Sequence, residues 1–467
     1  MARPHVLLLP PPGQGHVIPM MELAQCLVKQ GVKVTFINTE VSHKLITSNW
    51  LEKDGFGELM QMVCIPDGLE PWEDRADICK LTRSMLKTMP SKLETLIEAT
   101  NNEDGNDKIT CVIADATMVW GVKVGNKLGI RTAIFWTASA ATLASVLSIQ
   151  KLIDDGIINH KGLPLSDQII QLSESMPPIK PENLGWLCFK DVDMVEAVFQ
   201  SSKAIEEAST LTEWFICNSA TELEPAAFNL FPQLLSIGPL LASNRLGDQA
   251  GHFWQEDSTC LTWLDQQPAC SVIYIAFGSF TLFDPTQFQE LALGLELTNR
   301  PFLWVVRPGM TKETALVYTD GYMDRVGSRG RIVNWAPQQK VLAHPSVTCF
   351  VSHCGWNSTL EGVTNGLPFL CWPYFGDQFL NESYICDIWK TGLGFNKKEA
   401  GIITQKEIKS KIEQLLGDKT FRDKALDIKE KVTTSVTKGG RSHNNLNRFI
   451  EWIQGKNTDA KDQPDHM

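Results

Sequence analysis

Short apolar runs alternate with glycine-containing loops and helix-spaced stretches along most of the chain. His5-Val-Leu-Leu-Leu9 leads into a Pro/Gly loop, then Val17 to Lys29 with Met20, Leu23, Ala24 and Leu27 at helical spacing, then Gly31 and the run Val32 to Ile37. Strand, loop, helix and strand within about 35 residues match a βαβ unit, whose strands are parallel. Further strands are predicted at Thr110–Ala114, Ala133–Trp136 and Trp214–Cys217, the last closing this half. From Leu240 to Asp257 the pattern lapses into Ala-Ser-Asn-Arg-Leu-Gly-Asp-Gln-Ala-Gly, a linker composition. It then restarts with strands at Ser271–Phe277, Phe302–Val306, Arg331–Val333, Val347–Val351 and Phe369–Trp372, a helix at Pro285–Leu297 and a helical tail over Thr404–Gln454. Two successive α/β halves are expected, each opening with a strand and a glycine loop.

Length and composition fit this picture. The 467 residues suit two or three domains, and 43% hydrophobic with 21% charged residues is ordinary for a globular chain. The net charge of −11, without a Lys/Arg cluster, argues against a nucleic-acid partner. Twelve cysteines without C-x-x-C spacing read as reduced thiols and point to the cytoplasm. No signal peptide is expected, because Val6 to Leu9 is too short for an apolar h-region. Thr132 to Gln150 is uncharged and as long as a membrane span, but its hydroxyls fit a buried strand running into a buried helix, so no membrane span is expected. The polar end, Lys456 to Met467, is expected to be disordered.

Three segments carry candidate chemistry. In the first loop, Gly13-Gln-Gly15 could begin a dinucleotide fingerprint, but Ile18 stands where its third Gly is required. His16 there is either a structurally satisfied, helix-capping residue or a base at the mouth of a crevice. Asp115, just past an apolar run, is either a helix N-cap or the partner that fixes the imidazole tautomer. The third segment, from Trp335 to Gln378, is the densest: a strand ends at Ser352-His353, Gly355 lets the backbone turn, and Asn357-Ser358 opens a helix. A cation-capable imidazole, a hydroxyl and helix N-terminal amides make a phosphate pocket, and Glu361 one turn on can accept from vicinal hydroxyls. No second His or Cys pair stands at metal-ligand spacing, so no metal is expected. Trp335 and Trp372 could be core or ligand platforms. The sequons at Asn357 and Asn381 are expected to be idle, and no P-loop or nucleophile elbow occurs.

The run WAPQQKVLAHPSVTCFVSHCGWNSTLEGVTNGLPFLCWPYFGDQ, together with PPPGQGHVIPMMELAQCL, VIADATMVWG, IFWTASA and CLTWLDQQPACSVIYIAFGSF, closely resembles the plant family 1 UDP-dependent glycosyltransferases. The resemblance spans nearly the whole chain. It implies an α/β GT-B fold, two Rossmann-like domains with parallel sheets facing across a cleft: an acceptor domain over 1–240, a linker over 241–258, a UDP-sugar domain over 259–440, and a helix over 441–455 returning to the first domain. It also implies inversion at the anomeric carbon, no metal, no cofactor beyond UDP-glucose as co-substrate, and a monomer. His16 and Asp115 match the base and its partner. Trp335 with Ala336 matches the uracil platform, and Gln338 and Glu361 match the ribose contacts. Ser279, His353, Gly355, Asn357 and Ser358 match the diphosphate site, while Thr137, Trp356, Asp377 and Gln378 match sugar contacts. Gly362, Cys371 and Gly376 depart from the common Ser, Ala and Ala. Gln378 with Asp377 is expected to bracket hydroxyls of glucose, donating and accepting at once. The expected activity is glucosyl transfer to a hydroxyl of a small plant metabolite, a phenol or flavonoid first, with a terpenoid alcohol or a carboxylic acid as alternatives. A catalytically idle nucleotide-sugar binder and an NAD-dependent oxidoreductase are the readings from other classes.

Overall fold

The computed structural model describes residues 3–50, 57–103, 107–189, 191–242, 253–310, 321–398 and 401–456. Most of the expected linker and nearly all of the expected disordered tail lie outside the described residues. The chain forms two compact units, one built from residues up to Phe253 together with those from Thr434 onward, the other from Trp254–Thr433.

The first unit holds a seven-stranded sheet of β1 (His5–Leu9), β2 (Lys33–Thr39), β3 (Met60–Ile65), β4 (Cys111–Asp115), β5 (Arg131–Trp136), β6 (Trp214–Cys217) and β7 (Leu234–Ser236). Their order is β3-β2-β1-β4-β5-β6-β7, and every pair is parallel. β1, β4 and β6 are buried along their full length, as strands covered by helices on both faces must be. The first helix runs Gln14–Lys29, three residues longer at its start than the periodicity predicts. Gly13 is its N-cap, and Pro19 lies inside it. Met20, Leu23, Ala24 and Leu27 are in the core.

The helix Arg441–Ile453 belongs to the same unit. Its Phe449, Ile450, Trp452 and Ile453 join that core, with Trp214 5.4 Å from Phe449 and 5.8 Å from Trp452. β3 and β7 extend the sheet beyond the predicted strands. β3 is an edge strand with only Ile65 buried; its apolar run is just Met62-Val-Cys-Ile65, behind the exposed Gln61. Thr132–Gln150 divides into β5, the buried helix Ala140–Val146 and the start of the helix Ile149–Asp154, of which only Ile149 and Leu152 are buried. Among the described residues no helix is long and apolar enough to cross a membrane.

The second unit repeats the plan with six strands: β8 (Val272–Ala276), β9 (Phe302–Val305), β10 (Gly330–Val333), β11 (Val347–Ser352), β12 (Phe369–Cys371) and β13 (Gly392–Gly394). Their order is β10-β9-β8-β11-β12-β13, again parallel throughout. β13 is three residues with two glycines, which gives no apolar signal. Both sheets therefore follow the Rossmann order 3-2-1-4-5-6, which reverses direction between its first and fourth strands. In such sheets ligands bind outside the carboxyl ends of the strands, at that reversal. In the first unit the reversal lies between β1 and β4, and in the second between β8 and β11.

Candidate active site

In the first unit, His16 and Asp115 stand at this reversal. His16 lies in the first turn of the helix after β1, and Asp115 is the last residue of β4. His16 Nδ1 is 2.8 Å from Asp115 Oδ2. The other carboxylate oxygen, Oδ1, accepts from Thr117 N at 2.8 Å and from Thr117 Oγ1 at 2.7 Å. Asp115 is thus both the cap of the turn that follows β4 and the partner of the imidazole, one oxygen for each task. His16 does not cap its helix; Gly13 holds that position.

Thr137, just past β5, completes the group. Its Oγ1 donates to Asp115 Oδ2 at 3.2 Å and lies 3.1 Å from His16 Nδ1. Asp115 is 1% exposed and His16 37%. Burial alone would raise the Asp115 carboxyl, but the neighbouring His16 and the bonds from His16 and Thr117 outweigh it and hold it below the ordinary carboxylate range. An ionised Asp115 keeps the proton of His16 on Nδ1, so the basic lone pair sits on Nε2.

In the second unit, β8 leads to Gly278 and Ser279, and β11 leads to His353. Gly278 has φ +68°, and a Cβ on it would lie 2.6 Å from His353 Nε2. A Cβ on Gly355 would lie 2.5 Å from the same atom. Two glycines therefore make room for one ring, with Ser279 half-buried beside it. The sharp backbone turn expected at Gly355 falls instead on Cys354, with φ +63°. Gly355 has φ −60° and is the N-cap of the helix Trp356–Thr364; it must be glycine because of the imidazole, not because of its backbone. His353 also differs from the expected cation. Burial pushes it down to about 4, against a smaller opposing pull from the Ala276 backbone, so it is a neutral imidazole at pH 7. Asn357 and Ser358 open the helix as expected, with Asn357 half-buried and Ser358 buried.

The residues expected at the ribose belong to a connected set. Gln338 Nε2 donates to Ser358 Oγ at 2.9 Å and to Glu361 Oε2 at 2.6 Å, while Gln338 Oε1 accepts from Tyr274 OH at 3.0 Å. Gln339 Nε2 donates to Glu361 Oε1 at 3.3 Å. Trp335 is half-buried and stacked on Trp254, with centroids 5.9 Å apart and planes at 26°. Ala336 beside it is buried.

Near the residues expected at the sugar, Asn381 Nδ2 donates to Asp377 Oδ2 at 2.8 Å and to Cys354 O at 2.9 Å, tying the Asp377 loop to the His353 loop. Gln378 Oε1 accepts from the backbone N–H of Tyr374 at 2.7 Å and of Phe375 at 3.1 Å. Its carbonyl is therefore committed to the protein, and Gln378 can offer a sugar only the N–H donors of its amide. Trp356 is 4% exposed and packs near Trp389, so little of its indole can meet a ligand. Trp372 is core, edge-on to Phe277 and Phe283. A Cβ on Gly362 would lie 2.3 Å from the Phe369 ring, which explains that departure from Ser. Asn381 is fully buried, so its sequon cannot accept a glycan in the folded chain.

Tyr274, Gln339, Asn381 and Trp254 were not legible as site residues. Asn381 carried a faint signal, lying four residues after Asp377 on one helical face. Trp254 sat in a stretch read as linker. Among the described residues no group of three or more His, Cys, Asp or Glu is placed to hold a metal ion.

Two Rossmann-order parallel sheets, one carrying the His16–Asp115 pair and the other the His353 turn, the start of Trp356–Thr364 and Glu361, match the GT-B architecture of glycosyltransferases. The chain belongs to the UDP-glucoronosyl and UDP-glucosyl transferase family, whose profile matches residues 5–434. It is 44% identical over 466 residues to UDP-glycosyltransferase 83A1 of Arabidopsis thaliana, across 98% of each chain. It is 31% identical over 480 residues to 7-deoxyloganetin glucosyltransferase of Gardenia jasminoides, covering 97% of this chain and 98% of that one. A solved UDP-glucosyltransferase of Polygonum tinctorium, described as capable of glucosylating indoxyl, matches with a TM-score of 0.81 at 26% identity, over 97% of this chain and 99% of that one. The protein is accordingly an enzyme that transfers a glycosyl group from a UDP-sugar to a small plant metabolite.

Proposed function

We propose that the enzyme is an inverting UDP-glucose-dependent glucosyltransferase acting on a hydroxyl of a small phenolic metabolite. The observation that carries this reading is the 2.8 Å pairing of His16 with Asp115 at the carboxyl edge of the first sheet. His16 Nε2 takes the acceptor O–H proton as the oxygen bonds to the anomeric carbon. The bond from that carbon to the diphosphate oxygen breaks on the opposite face, and UDP leaves with the electron pair. Asp115 steadies the imidazolium. The departing diphosphate meets the N–H groups opening Trp356–Thr364, the Ser358 hydroxyl and His353 as a neutral hydrogen-bond donor, without a metal ion. Ser279 and Asn357 are assigned to the same diphosphate and Trp335 to uracil.

Glucose is favoured because Gln378 and Asp377 together offer donors and an acceptor to neighbouring hydroxyls, and because Trp356 stands where a glucuronate carboxylate would call for Arg. A phenolic acceptor is supported by the loop 66–76, which follows β3 at the same edge as His16. Arg75 closes this loop with two bonds to the buried Asp67, at 2.7 and 3.1 Å. It presents Trp72 with 80% exposure, a stacking face for a flat ring. The cysteines are unbridged thiols, which supports a cytoplasmic setting.

A panel of phenols, terpenoid alcohols and carboxylic acids, offered with UDP-glucose in the presence of EDTA, tests the acceptor class; competing UDP-galactose and UDP-glucuronate then test the donor. The highest kcat/KM is expected for a phenol and UDP-glucose. Equal or better values for either competing donor, or loss of activity in EDTA, would overturn this assignment.

A further inference from the structure

Thr137 touches both members of the His16–Asp115 pair, so the segment that carries it bears on the reaction. That segment leaves β5 at Trp136 and enters the helix Ala140–Val146, and a buried carboxylate from a distant stretch of chain grips its far end. Glu224 is 0% exposed. Its Oε2 accepts from Ala140 N at 2.9 Å and from Ser219 Oγ at 2.5 Å, and its Oε1 accepts from Ala141 N at 2.8 Å. The near end is held as well: Trp136 Nε1 donates to Ser139 O at 2.8 Å, and Asn218 N donates to Trp136 O at 2.9 Å.

We infer that Glu224 is a positioning residue for the transfer reaction: by anchoring the Thr137–Ala141 segment it sets the Thr137 hydroxyl against His16 and Asp115. The inference rests on the reading of His16 as the base. Ser139 caps the helix only at Thr142 N; Glu224 takes the N–H groups of Ala140 and Ala141 that this cap leaves over and ties them to Ser219 after β6. Burying a carboxylate is expensive even when it is hydrogen-bonded, and burial pushes Glu224 up to about 7 against the pull of its three donors. What it adds over a serine is rigidity, since it bridges two consecutive amides and the hydroxyl of the β6 loop at once. A base must be held within a fraction of an ångström of its working geometry. Thr137 is the contact through which that rigidity reaches the imidazole.

Glu224→Gln keeps the volume but turns one acceptor oxygen into a donor, so the three bonds cannot all survive. Steady-state rates of wild type, Glu224→Gln, His16→Ala and the double variant, with a weakly acidic alcohol and with a strongly acidic phenol, separate the possibilities. With the alcohol, Glu224→Gln is expected to lower kcat by about 10- to 100-fold while KM for UDP-glucose stays within about twofold. With the acidic phenol, which needs no base, the loss shrinks to a few-fold, and in the His16→Ala background the change adds nothing. Ser219→Ala is the second variant. It removes one donor to Glu224 and leaves both amide bonds in place, so it should show the same acceptor dependence at smaller size in a folded protein. A loss equal for both acceptors, or one that multiplies fully with His16→Ala, would mean a structural role and overturn the proposal. No loss in Glu224→Gln while His16→Ala is impaired overturns it alone; no loss in His16→Ala overturns the base reading and this proposal together.

Discussion

His16→Ala is expected to lower turnover with an alcohol acceptor by about 10²–10⁴-fold, the range that a positioned general base supplies. UDP affinity should stay within a small factor. The split follows from the fold: His16 lies on the helix after β1 in the first unit, whereas the groups assigned to UDP all lie in the second. Removing the imidazole also takes away the partner that helps hold the Asp115 carboxyl low, so the buried acid loses compensation for its burial. Part of the effect will therefore appear as lost stability, and the rate comparison belongs at a temperature well below both unfolding midpoints. A strongly acidic phenol should suffer least, because it reaches the anomeric carbon already ionised. Rates with both acceptors and a UDP titration by calorimetry check all three statements, and unchanged turnover with the alcohol would remove His16 from the mechanism.

Glu361→Gln is expected to raise KM for UDP-glucose by about 10- to 100-fold while changing kcat by less than about threefold. Hydrogen bonds to a charged group contribute about 1.5–3 kcal/mol each, and Glu361 is assigned to the two ribose hydroxyls. Gln338 and Gln339 each donate to a different oxygen of this carboxylate, and an amide keeps only one acceptor oxygen, so one of these two bonds is also lost. The ribose is bound equally in ground and transition states, so the loss should appear in KM. Steady-state kinetics in UDP-glucose decides the matter: a fall in kcat at constant KM would place Glu361 in the chemistry instead.

The two sites differed in how far they could be read from residues alone. Apart from Ser279 and Gln338, the residues assigned to diphosphate and ribose crowd into one strand, turn and helix, from Ser352 to Glu361, so their types and spacing announce them together. His16 and Asp115 are 99 positions apart and meet only because β1 and β4 are neighbours at the sheet reversal. Position alone therefore left each with a structural alternative, and the resemblance to known glycosyltransferases chose between them. What escaped was decided by three-dimensional surroundings. His353 reads as a cation until burial is counted. Gln378 reads as donor and acceptor until Tyr374 and Phe375 claim its carbonyl. Gly355 reads as the turn, whereas Cys354 makes it and Gly355 gives way to a ring. β13, a Gly-Leu-Gly strand, has no apolar run to find, and the short run Met62–Ile65 of β3 lies on an edge strand buried only at Ile65. The periodicity starts the first helix at Val17 because only its apolar face is visible in the sequence; its first turn carries His16.

The central claim is direct displacement by a hydroxyl that His16 deprotonates, and the configuration of the product tests it most directly. UDP-glucose carries an α-linked sugar, so one displacement from the face opposite UDP must yield a β-glucoside. Proton NMR of the glucoside formed with UDP-glucose and a phenol should show the large anomeric coupling of a β-linkage from the earliest time points. An α-glucoside at those early points would mean two displacements or front-face return, and would contradict the account.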